Sequence, residues 1–370
     1  MLFNQNLLFT FNAIRIFILA TVAVVLAAAL TPFLTNFLYK HRLWRKEARK
    51  KTITGAEAPV FYQLHKEREI NIPRFGGLLI WTVTVIVVLI FWGLSQVSGN
   101  YWLKNLNFLS RKETWLPLFT LVAAASLGLV DDFLQVKGRG RYFAGGLTFW
   151  QRLIIIVLIG VIGGWWFSAK LGWNTIHIPG NGDISLGNLI SIGSLSLGSP
   201  LFIILFILVM LACWSGGVID GLDGLAGGAF TSIFGAFAII SFAEAKFDLA
   251  AFSAVIFGTI LAFLWFNIPP ARFYMGETGM IGLTCTLAVI AFLTDSVIVL
   301  PIIGGLLVVE SGSVILQLLS KKFRKKKIWL CTPIHHHFEA KGWPHYKVTM
   351  RFWLIGIILA IIGVAIRLLG

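Results

Sequence analysis

Charge is scarce in this chain: 13% of its residues are Asp, Glu, Lys or Arg, against roughly 25% in an ordinary soluble domain, and 57% are hydrophobic. That shortage excludes a soluble globular domain as the main part of the molecule and makes lipid the solvent for most of it. Cysteine is equally sparse. Cys213, Cys285 and Cys331 are scattered, two of them inside apolar runs, so neither a disulfide framework nor a zinc spacing can be drawn. Acidic residues are few as well, 16 against 31 Lys plus Arg, for a net charge of +15. No internal repeat and no separate soluble domain is visible, so residues 1–370 read as a single polytopic membrane domain.

Long apolar runs are what the chain has in abundance. Stretches near 13–39, 76–94, 115–130, 153–168, 201–217, 225–243, 249–266, 279–293, 297–319 and 352–369 are each about long enough to cross a hydrocarbon core of about 30 Å. Backbone in lipid must satisfy its own hydrogen bonds, and these runs are continuous rather than alternating, which favours helices over a β-barrel. The expected fold class is an all-α integral membrane protein, a bundle of about ten transmembrane helices. One connecting segment, Leu171–Asn188, carries short strand patterns around the turn Pro179-Gly180-Asn181-Gly182-Asp183 and predicts a small external β-hairpin. The first run is too long for a signal peptide and its basic cluster follows it, so it reads as a retained span with an external N-terminus.

Loop charges orient the bundle. Loops 40–75, 131–152, 218–224, 267–278 and 320–351 hold 24 of the 31 Lys and Arg residues, which predicts that they face the cytoplasm and that both termini lie outside a plasma (inner) membrane. The excess places positive charge where anionic lipid headgroups and anionic substrates are met, although the positive-inside rule alone would also produce it. The same loops carry ten of the 16 carboxylates and six of the seven histidines.

Four groups of polar residues stand at that face. Asp131 and Asp132 diverge by about 100° on a helix end, which suits two separate jobs, metal ligand and general base, better than one bidentate grip. The bland alternative is an acidic pair solvating a helix end, but acids at a C-terminus oppose the helix dipole. Asp220 and Asp223 are three apart on one helix face among Gly221, Gly224 and Gly227, a pattern that also fits an N-cap with small-residue packing. The loop from Asn267 to Gly279 stops one helix with prolines and restarts another after glycines. It offers Glu277 to a divalent cation and Tyr274 to a flat base, or is a plain interfacial turn. His335, His336 and His337 point in different directions, which suits phosphate or sugar contacts, or simple solvation, better than a metal cage. Glu310, inside an apolar span, requires a partner or an internal cavity.

These motifs resemble those of the polyprenyl-phosphate N-acetylhexosamine-1-phosphate transferases of glycosyltransferase family 4. The resemblance covers nearly the whole chain, from Pro73-Arg-Phe-Gly-Gly77 through Asp131-Asp132, Asp220-Gly-Leu-Asp223-Gly-Leu-Ala226, Phe266-Asn267 and Met275-Gly-Glu277-Thr-Gly279. It continues through Glu310–Gln317 to Pro333-Ile-His-His-His-Phe-Glu339, Gly342-Trp343-Pro344 and Arg351-Phe352-Trp353, and the triple histidine with Phe-Glu is similar to the muramoyl-pentapeptide branch. The resemblance implies a magnesium-dependent transfer of phospho-N-acetylmuramoyl-pentapeptide from UDP-N-acetylmuramoyl-pentapeptide to undecaprenyl phosphate, giving lipid I and UMP in peptidoglycan synthesis. It implies membrane lipids as surroundings, a homodimer, and no nucleic-acid partner. Carried onto this chain, Asp131, Asp132, Glu277 and His335 would be catalytic, the first three also holding the metal. Asp220, Asp223, Asn267, Tyr274, His336, His337 and Gln317 would bind substrate, with Asp223 and Tyr274 on uridine.

The chain departs from that pattern at four positions. Trp214 and Gly217 stand where relatives carry Asn-x-x-Asn, Glu277 replaces an Asp, and Gln135 replaces a Lys, with Lys137 or Arg139 as candidates to compensate. Two other readings compete. One is a transferase of the same superfamily acting on a different UDP-N-acetylhexosamine, and the other a transporter with Glu310 on its pathway and the inner-face acids as gates. Transporters tend to show paired halves and polar residues at mid-membrane, and Glu310 stands almost alone there.

Overall fold

The computed structural model describes residues 2–46, 59, 62–63, 70–138, 146–187, 190–192 and 195–370. In chain order the helices are α1 (Leu2–Lys40), α2 (Gly77–Val97), α3 (Tyr101–Leu106), α4 (Trp115–Val136), α5 (Phe149–Trp165), α6 (Pro200–Ser215), α7 (Leu225–Ala243), α8 (Phe247–Asn267), α9 (Gly276–Leu293), α10 (Leu300–Ile303), α11 (Gly305–Phe323), α12 (Ile334–Ala340) and α13 (His345–Leu369). Among the described residues nine helices are long and apolar enough to cross a membrane: α1, α2, α4 to α9 and α13. The tenth of the expected bundle is α11. It has 19 residues, but its buried face carries Glu310, Ser311, Ser313, Gln317 and Ser320 and its last turn Lys321 and Lys322. The expected run 297–319 is broken at Gly304, which separates it from α10.

Several helices extend past the apolar edges, because the backbone ladder does not stop where the side chains become polar. Helix α4 runs through Asp131 and Asp132 to Val136, α9 begins at Gly276, and α13 begins at His345. Local chemistry explains other ends. At α5, Thr148 Oγ1 accepts the Gln151 N–H (3.3 Å) while Gln151 Oε1 accepts the Thr148 N–H (2.9 Å), a reciprocal capping box. At α6, Ser199 caps and Pro200 occupies the first turn, where its missing N–H costs nothing.

Helix α9 is the centre of the bundle, with 94% of its apolar window buried, surrounded by α2, α4, α6 and α7. An apolar side chain gains little by exchanging lipid for a neighbouring helix, so close backbone approach and packing hold such a bundle together. Gly128 of α4 shows this: a side chain there would overlap the backbone carbonyl of Glu277 on α9. Toward the other end of α9, Phe167, Phe202 and Phe206 pack on Phe292 with ring centroids 4.6–6.0 Å away.

The expected hairpin forms at this second end. Strands β1 (Thr175–Ile178) and β2 (Gly182–Ser185) pair antiparallel, Ile176 opposite Ile184 and His177 opposite Asp183; Asn188 lies outside the described residues. A second hairpin, β3 (Ile190–Ile192) with β4 (Leu195–Gly198), follows it and was not expected, because its Ser and Gly content reads as linker. The five acids at this end all serve structure. Asp248 pairs with Arg15 (2.7 Å), Glu244 with Arg367 (2.5 Å) and Lys246 (2.8 Å), Asp295 with Lys246 (3.6 Å), Asp183 with His177 (2.8 Å), and Glu113 accepts the Leu249 N–H (3.0 Å) in the first turn of α8.

Candidate active site

At the opposite, basic end the N-terminus of α9 collects carboxylates from two other elements. Three of its backbone N–H groups lack partners within their own helix, and the helix dipole favours negative charge beside them. Asp132 of α4 takes two, accepting from Glu277 (3.1 Å) and Thr278 (2.9 Å), and Asp220 accepts from Gly276 (3.2 Å). Asp132 is fully buried and thus caps a helix other than its own. The acid-at-a-C-terminus conflict read in the sequence disappears, because the dipole that Asp132 meets is the favourable end of α9.

Asp131 faces the other way, as the divergence of adjacent helical residues requires. It is fully buried; Oδ1 accepts the Leu147 N–H (2.6 Å), and Oδ2 meets Gln135 Nε2 (2.6 Å) and Arg152 Nη2 (2.8 Å). The second guanidinium nitrogen of Arg152 reaches Glu277 Oε1 (2.9 Å), so one arginine forks between Asp131 and Glu277. Arg152 was not singled out in the sequence. The signal available was an ionisable residue in the first turn of an otherwise apolar spanning helix, which demands a partner.

The replacement of Lys by Gln at 135 is also resolved here. Gln135 Oε1 accepts from the buried guanidinium of Arg45 (Nε 3.1 Å) while its amide donates to Asp131, so cationic charge reaches Asp131 through a neutral relay. Lys137 instead lies over the Phe133 ring (4.2 Å), and Arg139 is outside the described residues.

The remaining motifs close around this centre. Pro73–Gly77 pairs with the Tyr274 loop: Tyr274 N–H donates to the Pro73 carbonyl (2.7 Å), and Gly76 and Gly77 donate to the carbonyls of Tyr274 and Met275 (both 2.8 Å). Asn267 is buried and clasps backbone, accepting the Gly224 N–H (3.1 Å) and donating to the Phe273 carbonyl (2.8 Å). Asp223, also buried, accepts the Ala271 N–H (3.3 Å), and its carbonyl accepts from Thr349 (3.1 Å). Gln317 uses both ends of its amide on the backbone of Ile328 and Trp329. Trp214 stacks on Phe149 (5.6 Å), and the Gly217 carbonyl accepts the Asp220 N–H (3.4 Å).

The histidines lie on α12. His335 is fully buried with Nδ1 2.9 Å from Oε2 of the equally buried Glu310, close but off the hydrogen-bond axis, and its Nε2 has no partner. His336 Nδ1 is 2.8 Å from Glu339 Oε2, and His337 Nδ1 accepts the Leu330 N–H (3.2 Å). Burial, reinforced by Lys341, holds the His337 imidazole below its ordinary value. Glu310, whose place in an apolar span required a partner, thus faces His335 at ion-pair distance.

The profile of glycosyl transferase family 4 matches residues 114–295. The chain is 35% identical to the phospho-N-acetylmuramoyl-pentapeptide-transferase of Bacillus pumilus over 82% of this chain and 86% of that one. It is 33% identical to that of Anoxybacillus flavithermus over 94% and 96%, and 32% identical to that of Bacillus subtilis over 94% of each. The chain belongs to the phospho-N-acetylmuramoyl-pentapeptide-transferase branch of glycosyl transferase family 4. It is a multi-pass membrane protein. Phosphotransferases of this family are generally metal-dependent, so the carboxylates face a test of fit. Among the described residues no three His, Cys, Asp or Glu side chains group closely enough to cage an ion by themselves. Asp131 and Glu277 nevertheless converge on one cationic group, 2.8 and 2.9 Å from the same guanidinium. Two carboxylates completed by substrate phosphates is the ligand set that magnesium commonly takes. Both oxygens of Asp131, like those of Asp132, already accept hydrogen bonds, so such an ion would be held by Asp131 and Glu277 in place of the Arg152 contact that they share.

Proposed function

We propose that this chain transfers phospho-N-acetylmuramoyl-pentapeptide from UDP-N-acetylmuramoyl-pentapeptide to undecaprenyl phosphate, giving lipid I and UMP. What carries the reading is the convergence of Asp131, Asp132, Asp220, Glu277 and Arg152, from four separate elements, on one end of α9 in a chain that matches such transferases along nearly its whole length. The 370 residues act as one membrane unit, with the basic end at the cytoplasmic face and both termini external, since the lysines and arginines gather on the site's side. The bundle works as a homodimer in membrane lipids.

An oxygen of the lipid phosphate attacks the phosphorus on the sugar side of the donor diphosphate. A new P–O bond forms as the bond to the uridine-side phosphate breaks, and UMP leaves with the electron pair. A phosphate monoester has a second pKa near 6, so the nucleophile is largely ionised at neutral pH and one displacement suffices. Catalysis then consists of positioning and charge neutralisation. Asp131 and Glu277 would hold magnesium, which would neutralise diphosphate charge when bound. Arg152 adds fixed positive charge beside them, and Asp132 holds the α9 N-terminus, and with it Glu277, in place. Asp220, Asp223 and Tyr274 line the uridine side, and His335, His336 and His337 meet phosphate or sugar. Asn267 and Gln317 serve by fixing the backbone of the turn at Gly224 and the loop at Ile328–Trp329.

The test is purified protein in detergent with undecaprenyl phosphate, magnesium and the UDP-linked donor. UMP and a lipid-linked product should appear in equal amounts. Absence of both, with folded protein and varied donors, would remove the assignment.

A further inference from the structure

Two of the three histidines share a construction that their spacing alone does not reveal. His335 Nδ1 faces Glu310 at 2.9 Å and His336 Nδ1 faces Glu339 at 2.8 Å, so each ring has a carboxylate on the same nitrogen. The rings stand edge to face, centroids 4.1 Å apart. Their other nitrogens meet at Gly221: a Cβ built there would overlap His335 Nε2 and lie 3.0 Å from His336 Nε2. Gly221 stands between Asp220 and Asp223, and the rings pack so close to it that a side chain there would push against both.

Glu310 is the unusual member. A carboxylate fully buried in an apolar helix is expensive unless it is paired, and the ionisable group that faces it is His335 at 2.9 Å. A carboxylate at Nδ1 fixes which ring nitrogen carries the proton and how the ring is turned, as it does for imidazoles that bind metals or act as bases. The His335 Nε2 atom left over is buried and unpartnered, a state that costs free energy unless something else uses it.

We propose that Glu310 is a positioning residue for the transfer reaction: it holds His335 with Nδ1 toward the bundle and Nε2 toward the Gly221 turn, where that buried, unpartnered nitrogen takes a phosphate or hydroxyl oxygen of the substrate. Glu339 does the same for His336. Glu310 acts through the imidazole and does not touch the substrate. This rests on the transferase reading for the identity of the substrate, while the ring orientation stands independently of it.

Two measurements test the proposal. The first is a double-mutant cycle on turnover with radiolabelled donor in detergent. E310A should lower kcat by at least about 100-fold with little change in donor KM, and E310D should recover part of the loss. In the H335A background, E310A should change turnover by no more than about 2-fold, because the carboxylate then has nothing to orient, whereas independent roles would add. E310A costing as much with His335 absent as with it present overturns the proposal, as does near-parental activity of E310A. An inactive parent protein would count against the transferase reading alone.

The second measurement needs no turnover. In protein labelled with 15N-histidine, the ring resonances lost in H335A identify His335, and they should report a proton on Nδ1 in the parent. E310Q keeps the shape of the side chain and should shift those resonances and no other histidine's except that of adjacent His336. A His335 ring protonated on Nε2 alone, or one indifferent to E310Q, refutes the orientation.

Discussion

Replacing Glu277 by Gln separates what this carboxylate does for the reaction from what it does for the fold. Glu277 Oε1 is 2.9 Å from Arg152, but the side chain is 25% exposed, and Arg152 keeps its second pair with Asp131 at 2.8 Å after the change. A partly solvated pair of this kind contributes about 0–1 kcal/mol to stability, so the melting temperature in detergent should barely move. Turnover should respond differently. Two unit charges 4 Å apart interact by about 4 kcal/mol at an effective dielectric constant of 20, and loss of one preorganised electrostatic group costs about 100- to 1,000-fold in kcat. The assay is UMP release at saturating and at limiting magnesium, with the melting temperature measured on the same samples. Glu277→Asp should be far milder: the charge stays, the carboxylate retreats by one methylene, and the first turn of α9 is anchored by Asp132 and Asp220 at a position from which a small loop shift restores contact. Near-parental turnover of Glu277→Gln at both magnesium levels would refute the ligand role and return Glu277 to the status of an interfacial loop residue.

Further outcomes follow from the same geometry. Chelator should abolish turnover, and magnesium or manganese should restore it; full activity in excess chelator removes Asp131 and Glu277 from metal binding. Single cysteines introduced at 181, 45 and 341 should be labelled from outside the cell at 181 alone, and external labelling at 45 overturns the orientation. Burial pushes the Glu113 carboxyl above its ordinary range, with the Leu249 N–H and Lys246 acting against it. A raised carboxyl pKa means that the folded state binds more protons, so the contribution of Glu113 to stability falls as pH rises from the ordinary carboxylate range through the raised one. Glu113→Gln should therefore match the parent's melting temperature below that window and equal or exceed it above, and a variant that loses ground as pH rises contradicts the sign.

How much of this was legible in the sequence depends on whether a residue's partner was local. Apolar runs, loop charge and the Pro-Gly turn are local, and nine of the expected spans and the first hairpin stand where they were expected; the misses are the run 297–319, broken at Gly304, the second hairpin, and the edges where α4 and α9 continue through polar turns. Asp131 and Asp132 were visible as a pair with two jobs, but the division of labour was not. Asp132 answers to Glu277 and Thr278, and Asp131 to Arg152, partners more than a hundred and about twenty residues away. Arg152 itself was hidden because an arginine at the edge of a basic loop looks like topology rather than chemistry. The substitutions at 135 and 277 looked like losses for the same reason: a linear reading compares each position with its counterpart in relatives and cannot see Arg45 arriving through Gln135. The site is therefore better regarded as a pattern of charge around the start of α9 than as a string of residue types. In this chain the carboxylate at 277 and the arginine at 152 close that pattern with Asp131, and Arg45 reaches it through Gln135.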